Sequence, residues 1–283
     1  MTKSIAIPVG IYEKALPTEL SWEERLVMAA SAGYDFVEIS IDESDERLSR
    51  LTWTASERAD LRTAINNSGI PILTMCVSGH RKFPLGSASL ETRNRAVDIL
   101  YRAIDFASDI GAKIIQVCSY DVFYEPSNTD SQRRYIEGLK LGAKRAGAAG
   151  VMLGVENVDV EFSESVEKLM QIVHVIDSPW LNIYPDMGNL VAAGYDPVSQ
   201  LRLGEGHTVA VHVKDATPGV YRGVVFKSGD VKFEDVFQTL SDIGFWGPMV
   251  VEMWEHLQVD DDGMNLAVQA RSMVDQLISN TWS

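Results

Sequence analysis

Eight short apolar segments alternate with longer amphipathic segments along the whole chain. Most of the short segments are continuous runs of apolar residues, such as KIIQVC and VAVHV, rather than alternating ones. Continuous runs are typical of strands that are buried on both faces of a parallel sheet. The predicted strands span residues 5–11, 36–41, 70–77, 113–118, 151–156, 181–185, 208–213 and 248–253.

The amphipathic segments between these runs are predicted helices, and several carry boundary signals. Ser21 and Thr54 stand at N-cap positions, and Glu57 follows Thr54 by three residues, as in a capping box. Ser163 stands before a further helical segment. The predicted helices span residues 22–32, 55–68, 90–110, 130–149, 163–174, 196–202, 232–243 and 265–279.

Eight strand–helix units in 283 residues amount to about 35 residues each, which matches a (β/α)8 barrel. We therefore predict an α/β TIM barrel that occupies residues 1–283 as a single domain. A doubly wound sheet is the alternative. It is less favoured because the segment after the first strand, GIYEKALP, lacks the glycine-rich turn of the dinucleotide-binding folds.

The charge balance narrows the class of function. The chain has 25 Lys and Arg against 40 Asp and Glu, a formal net charge of −15. This balance argues against nucleic-acid binding and against a polybasic membrane-surface protein. No signal-peptide pattern and no run of 18 apolar residues occurs, and Cys76 and Cys118 lie in apolar runs, as buried reduced thiols do. These features favour a cytoplasmic protein.

Ionisable residues lie at the ends of four consecutive predicted strands. Strand 5 ends in Glu156 and strand 6 in Asp186. Strand 7 contains His212, and strand 8 contains Glu252. Carboxylates in such apolar surroundings are costly to bury unless they are paired or bind a metal. Because the strands of a barrel end at one rim, we expect the four side chains to hold one divalent cation, namely Mn²⁺, Mg²⁺, Co²⁺ or Zn²⁺.

Six segments resemble the bacterial L-ribulose-5-phosphate 3-epimerases, also called L-xylulose-5-phosphate 3-epimerases, of ascorbate and related pentose utilisation. The segments are GIYEKALP (10–17), DERLSRL (45–51), MCVSGHRKFPLGS (75–87), YPDMGNL (184–190), VAVHVKDATPGV (209–220) and GPMVVEMW (247–254). The resemblance covers nearly the whole chain. It implies a sugar-phosphate isomerase/epimerase TIM barrel with one divalent cation, held by the four strand-end residues. It also implies that Glu156 and Glu252 are the acid/base pair.

Epimerisation next to a carbonyl requires that a proton leave one face of C3 and return to the other through a cis-enediolate. A divalent cation would stabilise the charge of that intermediate. Glu156 and Glu252 come from strands that are not adjacent, so they can flank a sugar that lies between them. Each would act as the base in one direction and as the acid in the other.

Five further residues are predicted to bind the substrate, a small sugar phosphate. Lys214, Arg222 and Lys227 are candidates for the phosphate, because TIM-barrel phosphate sites often use the loops after strands 7 and 8. Glu38 on the second strand and His80 in the loop after the third are candidates for contacts to the sugar. The predicted helix 90–110 would permit a homodimer.

Three other functions are compatible with a barrel of this kind. A metal-dependent ketose–aldose isomerase uses a similar site and moves the hydrogen of a different carbon. A nuclease that resembles endonuclease IV would need several metals held by many histidines, and the chain has only five histidines and a strongly negative charge. A sugar-binding barrel without catalysis is the third alternative.

Overall fold

The computed structural model describes residues 7–254 and 265–282, which form a barrel of eight parallel strands. The strands are β1 (Val9–Tyr12), β2 (Phe36–Ile41), β3 (Ile72–Val77), β4 (Ile114–Cys118), β5 (Met152–Glu156), β6 (Leu181–Ile183), β7 (Val211–Val213) and β8 (Met249–Val251). Hydrogen-bonded neighbours follow the order β6-β5-β4-β3-β2-β1-β8-β7. The predicted (β/α)8 barrel is confirmed, and the doubly wound sheet is wrong, because β1 pairs with β8.

The barrel closes between β6 and β7 through isolated bridges rather than a continuous ladder. Ile183 bridges Thr208, and Asp186 bridges His212, both in parallel orientation. The backbone amide of His212 donates a hydrogen bond of 3.0 Å to the carbonyl oxygen of Pro185. Two of the four residues that were predicted to bind a metal therefore face each other across this seam.

Ten α-helices are present among the described residues, and they surround the strands. Ser21 and Thr54 are N-caps, as expected, and both form capping boxes, in which Glu24 and Glu57 accept hydrogen bonds from the N-cap amides. The helices are α1 (Trp22–Ser31), α2 (Asp45–Ser49), α3 (Ala55–Ser68), α4 (Leu90–Ile110), α5 (Thr129–Ala149), α6 (Val166–Ile176), α7 (Met187–Ala192), α8 (Pro197–Leu203), α9 (Phe233–Asp242) and α10 (Asn265–Thr281). None of them combines the length and apolar character needed to cross a membrane.

Successive side chains of each strand point alternately to the outer and the inner face of the barrel wall. In β2, Val37, Ile39 and Ile41 belong to the main apolar core that includes the helices. Phe36 belongs to a second apolar cluster, which lies on the opposite, inner face. The same alternation turns a set of polar side chains toward the barrel interior. These are Glu38, Ser40, Gln116, Glu156, His212, Lys214 and Glu252.

Several element boundaries differ from the prediction. Residues 5–6 of the first predicted strand lie outside the described residues, and β1 begins at Val9. β6 ends at Ile183, β7 begins at Val211 and β8 ends at Val251, so all three are shorter than expected. Pro8 directly precedes β1, and Pro185 lies two residues after the end of β6; neither has an amide hydrogen to donate to a ladder.

Two short helices, α2 and α7, were not expected, and α6 begins later than expected. Ser165 rather than Ser163 caps α6, because its side chain accepts a hydrogen bond from the Lys168 amide. Helix α7 directly follows Asp186, whose side chain accepts a hydrogen bond from the Asn189 amide. This cap fixes Asp186 at the rim of the barrel.

Candidate metal and active site

Four side chains from consecutive strands converge at the carboxyl end of the barrel. Glu156 is the last residue of β5, and Asp186 follows β6 by three residues. His212 is the central residue of β7, and Glu252 directly follows β8. One potential ligand atom from each of the four residues lies within 4.8 Å of the others. The structure therefore brings together all four predicted metal ligands.

The imidazole of His212 is held between carboxylates on both sides of the ring. Its Nδ1 lies 2.9 Å from Oε1 of Glu156, and its Nε2 lies 2.7 Å from Oε1 of Glu38. The second oxygen of Glu38 accepts a hydrogen bond of 2.9 Å from the hydroxyl of Tyr184. A carboxylate behind a histidine fixes the orientation of the ring. Glu38, which was predicted to contact the sugar, is fully buried and uses both oxygens in these contacts.

Asp186 is fixed by the loop that follows it. Its backbone amide donates to Oδ1 of Asn157 (2.8 Å), and the side-chain amide of Asn157 donates to the Asp186 carbonyl oxygen (3.0 Å). Asn189 donates its backbone amide to Oδ1 of Asp186 (2.8 Å). Oδ1 is therefore engaged in the helix cap, and Oδ2 is the oxygen that faces His212, at 3.9 Å from Nδ1.

Glu156 is oriented by two polar groups inside the barrel. The side-chain amide of Gln116 donates a short hydrogen bond to Oε2 of Glu156. The thiol of Cys118 lies 3.3 Å from the same oxygen. Because Oε2 is engaged in this way, Oε1 is the oxygen that faces His212. Cys76 and Cys118 are both free and buried, as predicted.

Lys214 is a buried cation within the cluster. Its Nζ lies 2.7 Å from Oδ2 of Asp186 and 3.0 Å from Oε2 of Glu252. It also donates a hydrogen bond of 2.8 Å to Oδ1 of Asn189. Only 4% of the residue is exposed, so the ammonium group lies among the predicted metal ligands rather than in a solvent-facing loop. The prediction placed it with the phosphate of the substrate.

Burial and the mixed charges shift the pKa values of the cluster in opposite directions. Burial raises the pKa of Asp186 to about 7, although Lys214 opposes this shift. Burial would raise the pKa of Glu252, but Lys214 and His212 outweigh it and lower that pKa. Burial would lower the pKa of His212, yet Glu38 and Glu252 raise it well above its usual value. The imidazolium of His212 and the ammonium of Lys214 are thus two cations among four carboxylates, those of Glu38, Glu156, Asp186 and Glu252.

The residues present fit a divalent metal ion. Oδ2 of Asp186 and Oε2 of Glu252 are buried, and neither accepts a hydrogen bond of good geometry from another described residue. Carboxylate oxygens with one imidazole nitrogen suit Mn²⁺, Mg²⁺, Co²⁺ and Zn²⁺. His212 would bind such an ion as the neutral imidazole, through the Nδ1 that faces the carboxylates.

The remaining predicted substrate residues lie in three different places. His80 is fully buried, and its Nε2 lies 3.1 Å from the carbonyl oxygen of Ala96 in α4. Lys227 is exposed and lines a cleft of about 360 Å³ against α10. Arg222 is exposed in the loop after β7, with Nη2 3.6 Å from Oδ2 of Asp159 in the loop after β5. Of these three residues, Arg222 lies where two loops at the rim that carries the cluster meet.

Sequence reasoning gave no role to Gln116 and Tyr184, which shape the site, and considered Arg81 only as a candidate cation for the phosphate. Gln116 interrupts the apolar run IIQVC, and a polar residue at an inward position of a strand is a signal that points to a buried partner. Arg81 stacks over Tyr120 and Phe123, with its carbon Cζ 5.1 and 4.9 Å from their ring centres. It also donates a hydrogen bond of 2.8 Å to the Tyr120 hydroxyl. Tyr184, which holds Glu38, carries no such signal.

Comparisons with known proteins agree with this geometry. The chain matches the xylose isomerase-like TIM barrel family over residues 26–276. L-ribulose-5-phosphate 3-epimerase UlaE of Escherichia coli O157:H7 (strain EC4115 / EHEC) is 46% identical over 254 residues, which cover 90% of this chain and 89% of that protein. The protein of the same name from Shigella sonnei (strain Ss046) is 44% identical over 268 residues, or 95% and 94% of the two chains.

The chain belongs to the L-ribulose-5-phosphate 3-epimerase family. It is thus an enzyme of the isomerase class, as predicted. Solved structures share the barrel of this family member at low identity. One is an L-ribulose 3-epimerase, with a TM-score of 0.81, 20% identity, and coverage of 98% of this chain and 96% of that chain. Another is a D-psicose 3-epimerase with D-tagatose from Clostridium cellulolyticum H10, with a TM-score of 0.82, 17% identity, and coverage of 96% and 99%.

The buried imidazole of His80 makes stability depend on pH. Burial lowers the pKa of His80 from 6.5 to about 4, so between these values the unfolded chain binds a proton that the folded chain does not. Stability is present above pH 6.5 and is lost as the pH falls toward 4. We expect the free energy of unfolding of the wild type to fall between pH 7.5 and pH 5 by about 2 kcal/mol more than that of His80→Gln.

Urea unfolding of the metal-free proteins at the two pH values measures this difference. His174→Gln is the matched control, because His174 is exposed on α6. We expect this control to show the pH dependence of the wild type. An equal loss of stability in the wild type and in His80→Gln would contradict the assignment of the titration to His80.

Proposed function

We propose that this chain is a metal-dependent epimerase that inverts C3 of a ketopentose 5-phosphate and interconverts L-ribulose 5-phosphate and L-xylulose 5-phosphate. One observation carries the proposal. Two glutamates, an aspartate and a histidine, all buried except the partly buried Glu252, lie together at the carboxyl rim of a barrel whose chain is 46% identical to a protein named L-ribulose-5-phosphate 3-epimerase. The nuclease alternative is disfavoured, because the candidate metal cluster of the described residues contains a single histidine.

The proposed reaction uses the two glutamates as the acid/base pair. Glu156 ends β5 and Glu252 directly follows β8, and their oxygens lie 2.9 and 3.5 Å from Nδ1 of His212. In this proposal, one glutamate removes the proton from one face of C3, and the other returns a proton to the opposite face of the cis-enediolate. Their roles exchange in the reverse reaction.

The surroundings of the two carboxylates support this exchange. Gln116 and Cys118 contact Oε2 of Glu156 inside the barrel. Lys214 forms an ion pair with Glu252. When bound, a divalent ion supplies positive charge that orients the oxygens of the ketose and offsets the charge that develops on them. The apolar cluster inside the barrel, which includes Phe36, excludes water from the floor of the site and so strengthens these electrostatic interactions.

Arg222 is the predicted phosphate ligand that the geometry favours. It is an exposed guanidinium on the loop after β7, at the same end of the barrel as the metal cluster. Its ion pair with Asp159 is loose, at 3.6 Å, so its donors are accessible to an anion. A guanidinium binds phosphate oxygens with paired hydrogen bonds.

A cytoplasmic location and a homodimer stay predictions.

The proposed reaction is tested by incubating the purified protein with L-ribulose 5-phosphate in D₂O. We expect L-xylulose 5-phosphate to form with deuterium at C3, to stop forming after treatment with a chelator, and to form again when Mn²⁺ is added. Nuclear magnetic resonance of the products measures the position of the label. Deuterium at C1 instead would show a ketose–aldose isomerase, and turnover that resists the chelator would refute metal dependence.

Replacement of either glutamate by its amide removes the proton carrier and keeps the shape of the side chain. We expect Glu156→Gln and Glu252→Gln to lower kcat by about a thousandfold, which is within the usual contribution of general acid–base catalysis. Circular dichroism checks that the fold is retained. Glu137→Gln, at an exposed position of α5, is the control and should keep full activity. Near wild-type turnover in either site variant would remove that residue from the mechanism.

Loss of the phosphate ligand separates phosphorylated from free substrates. We expect Arg222→Ala to raise the KM for L-ribulose 5-phosphate about tenfold or more, because charged hydrogen bonds are lost. The KM for free L-ribulose should change little. Lys227→Ala is the comparison variant, since Lys227 faces the cleft at α10. A larger effect of Lys227→Ala than of Arg222→Ala would place the phosphate at that cleft instead.

A further inference from the structure

The ammonium group of Lys214 contacts the two carboxylate oxygens that face the candidate metal position. Oδ2 of Asp186, 2.7 Å away, is the oxygen that the helix cap of α7 leaves unused. Oε2 of Glu252, 3.0 Å away, is the oxygen that lies 3.5 Å from Nδ1 of His212. Lys214 is thus bound to the same atoms that a divalent ion between Asp186, His212 and Glu252 would take.

The position of Lys214 is set by several independent contacts. Its Nζ donates to Oδ1 of Asn189, and the side-chain amide of Asn189 in turn donates to the Asn157 carbonyl oxygen at 2.8 Å. The ring of Trp254 lies on a further side, with its centre 5.9 Å from Nζ. These contacts fix the ammonium group of Lys214 in a defined position beside the two carboxylates.

We propose that Lys214 is an internal counter-ion that holds Asp186 and Glu252 together in the metal-free enzyme and that a divalent ion must displace from at least one of their oxygens. Two cations that share the same oxygens a few ångströms apart repel each other strongly in a buried site. Lys214 is therefore a positioning residue that keeps the empty site assembled and weakens the binding of the metal. The inference rests on the metal dependence in the proposed function.

Mn²⁺ affinity of the chelator-treated protein tests this inference without any measurement of turnover. We expect Lys214→Met, which keeps the length of the side chain and removes its charge, to bind Mn²⁺ about tenfold or more tightly than the wild type in isothermal titration calorimetry. The metal-free variant should unfold at a lower temperature than the metal-free wild type. Lys168→Met is the matched control, because Lys168 of α6 pairs with Glu164, away from the metal cluster, and its replacement should not change Mn²⁺ affinity.

Opposite results overturn the inference. If Lys214 only supported the fold, its loss would weaken Mn²⁺ binding or leave it unchanged. Mn²⁺ binding by Lys214→Met but not by the wild type would support the inference in its strongest form. Binding by neither protein would refute both this inference and the metal in the proposed function. If the wild type epimerises with Mn²⁺ and the variant does not bind it more tightly, only the inference about Lys214 fails.

Crystal structures of the wild type with and without Mn²⁺ provide a test that does not depend on the folding of a variant. We expect the Nζ atom of Lys214 to contact both oxygens in the metal-free crystal and to withdraw from at least one of them when Mn²⁺ is bound. Contact with both Asp186 Oδ2 and Glu252 Oε2 at unchanged distances in the Mn²⁺ complex would overturn the proposed displacement.

Discussion

The interior of the barrel mouth depends on a balance between buried carboxylates and buried cations. Glu38, Glu156, Asp186 and Glu252 surround His212, and Lys214 lies against two of them. Buried carboxylates without partners would be strongly destabilising. Each contact in the site follows from this requirement, since every carboxylate either meets a cation or accepts a hydrogen bond. Because the carboxylates need positive charge, the same cluster is suited to bind a divalent cation.

The sequence located the four strand-end residues because their signal is local. A run such as VMLGVE places a charge where an apolar strand stops, and the parallel barrel brings all such ends to one rim. Each of these residues is found from its own strand segment, without knowledge of which side chains it contacts. The capping boxes at Ser21 and Thr54 were predictable for the same reason, because each depends on residues three positions apart.

The partners of these residues could not be predicted, since they depend on contacts across the barrel. Glu38 reads as a substrate residue from its strand position, yet it lies 2.7 Å from an imidazole that is 174 positions away in the chain. The two-residue repeat of β7 predicts that Lys214 shares a face with His212, but not that its ammonium group pairs with Asp186 and Glu252. The short helix α7 was missed because its apolar turn follows Asp186 without a helical repeat long enough to detect.

The four candidate metal ligands lie on both sides of the seam between β6 and β7, so a bound divalent ion would also affect the stability of the barrel wall. Glu156 and Asp186 belong to one side of the gap, and His212 and Glu252 to the other, where the wall is joined by single bridges. A cation held by all four would connect the two sides of this seam. Occupancy would then be linked to resistance against opening, and removal of the ion would loosen the wall as well as stop the chemistry.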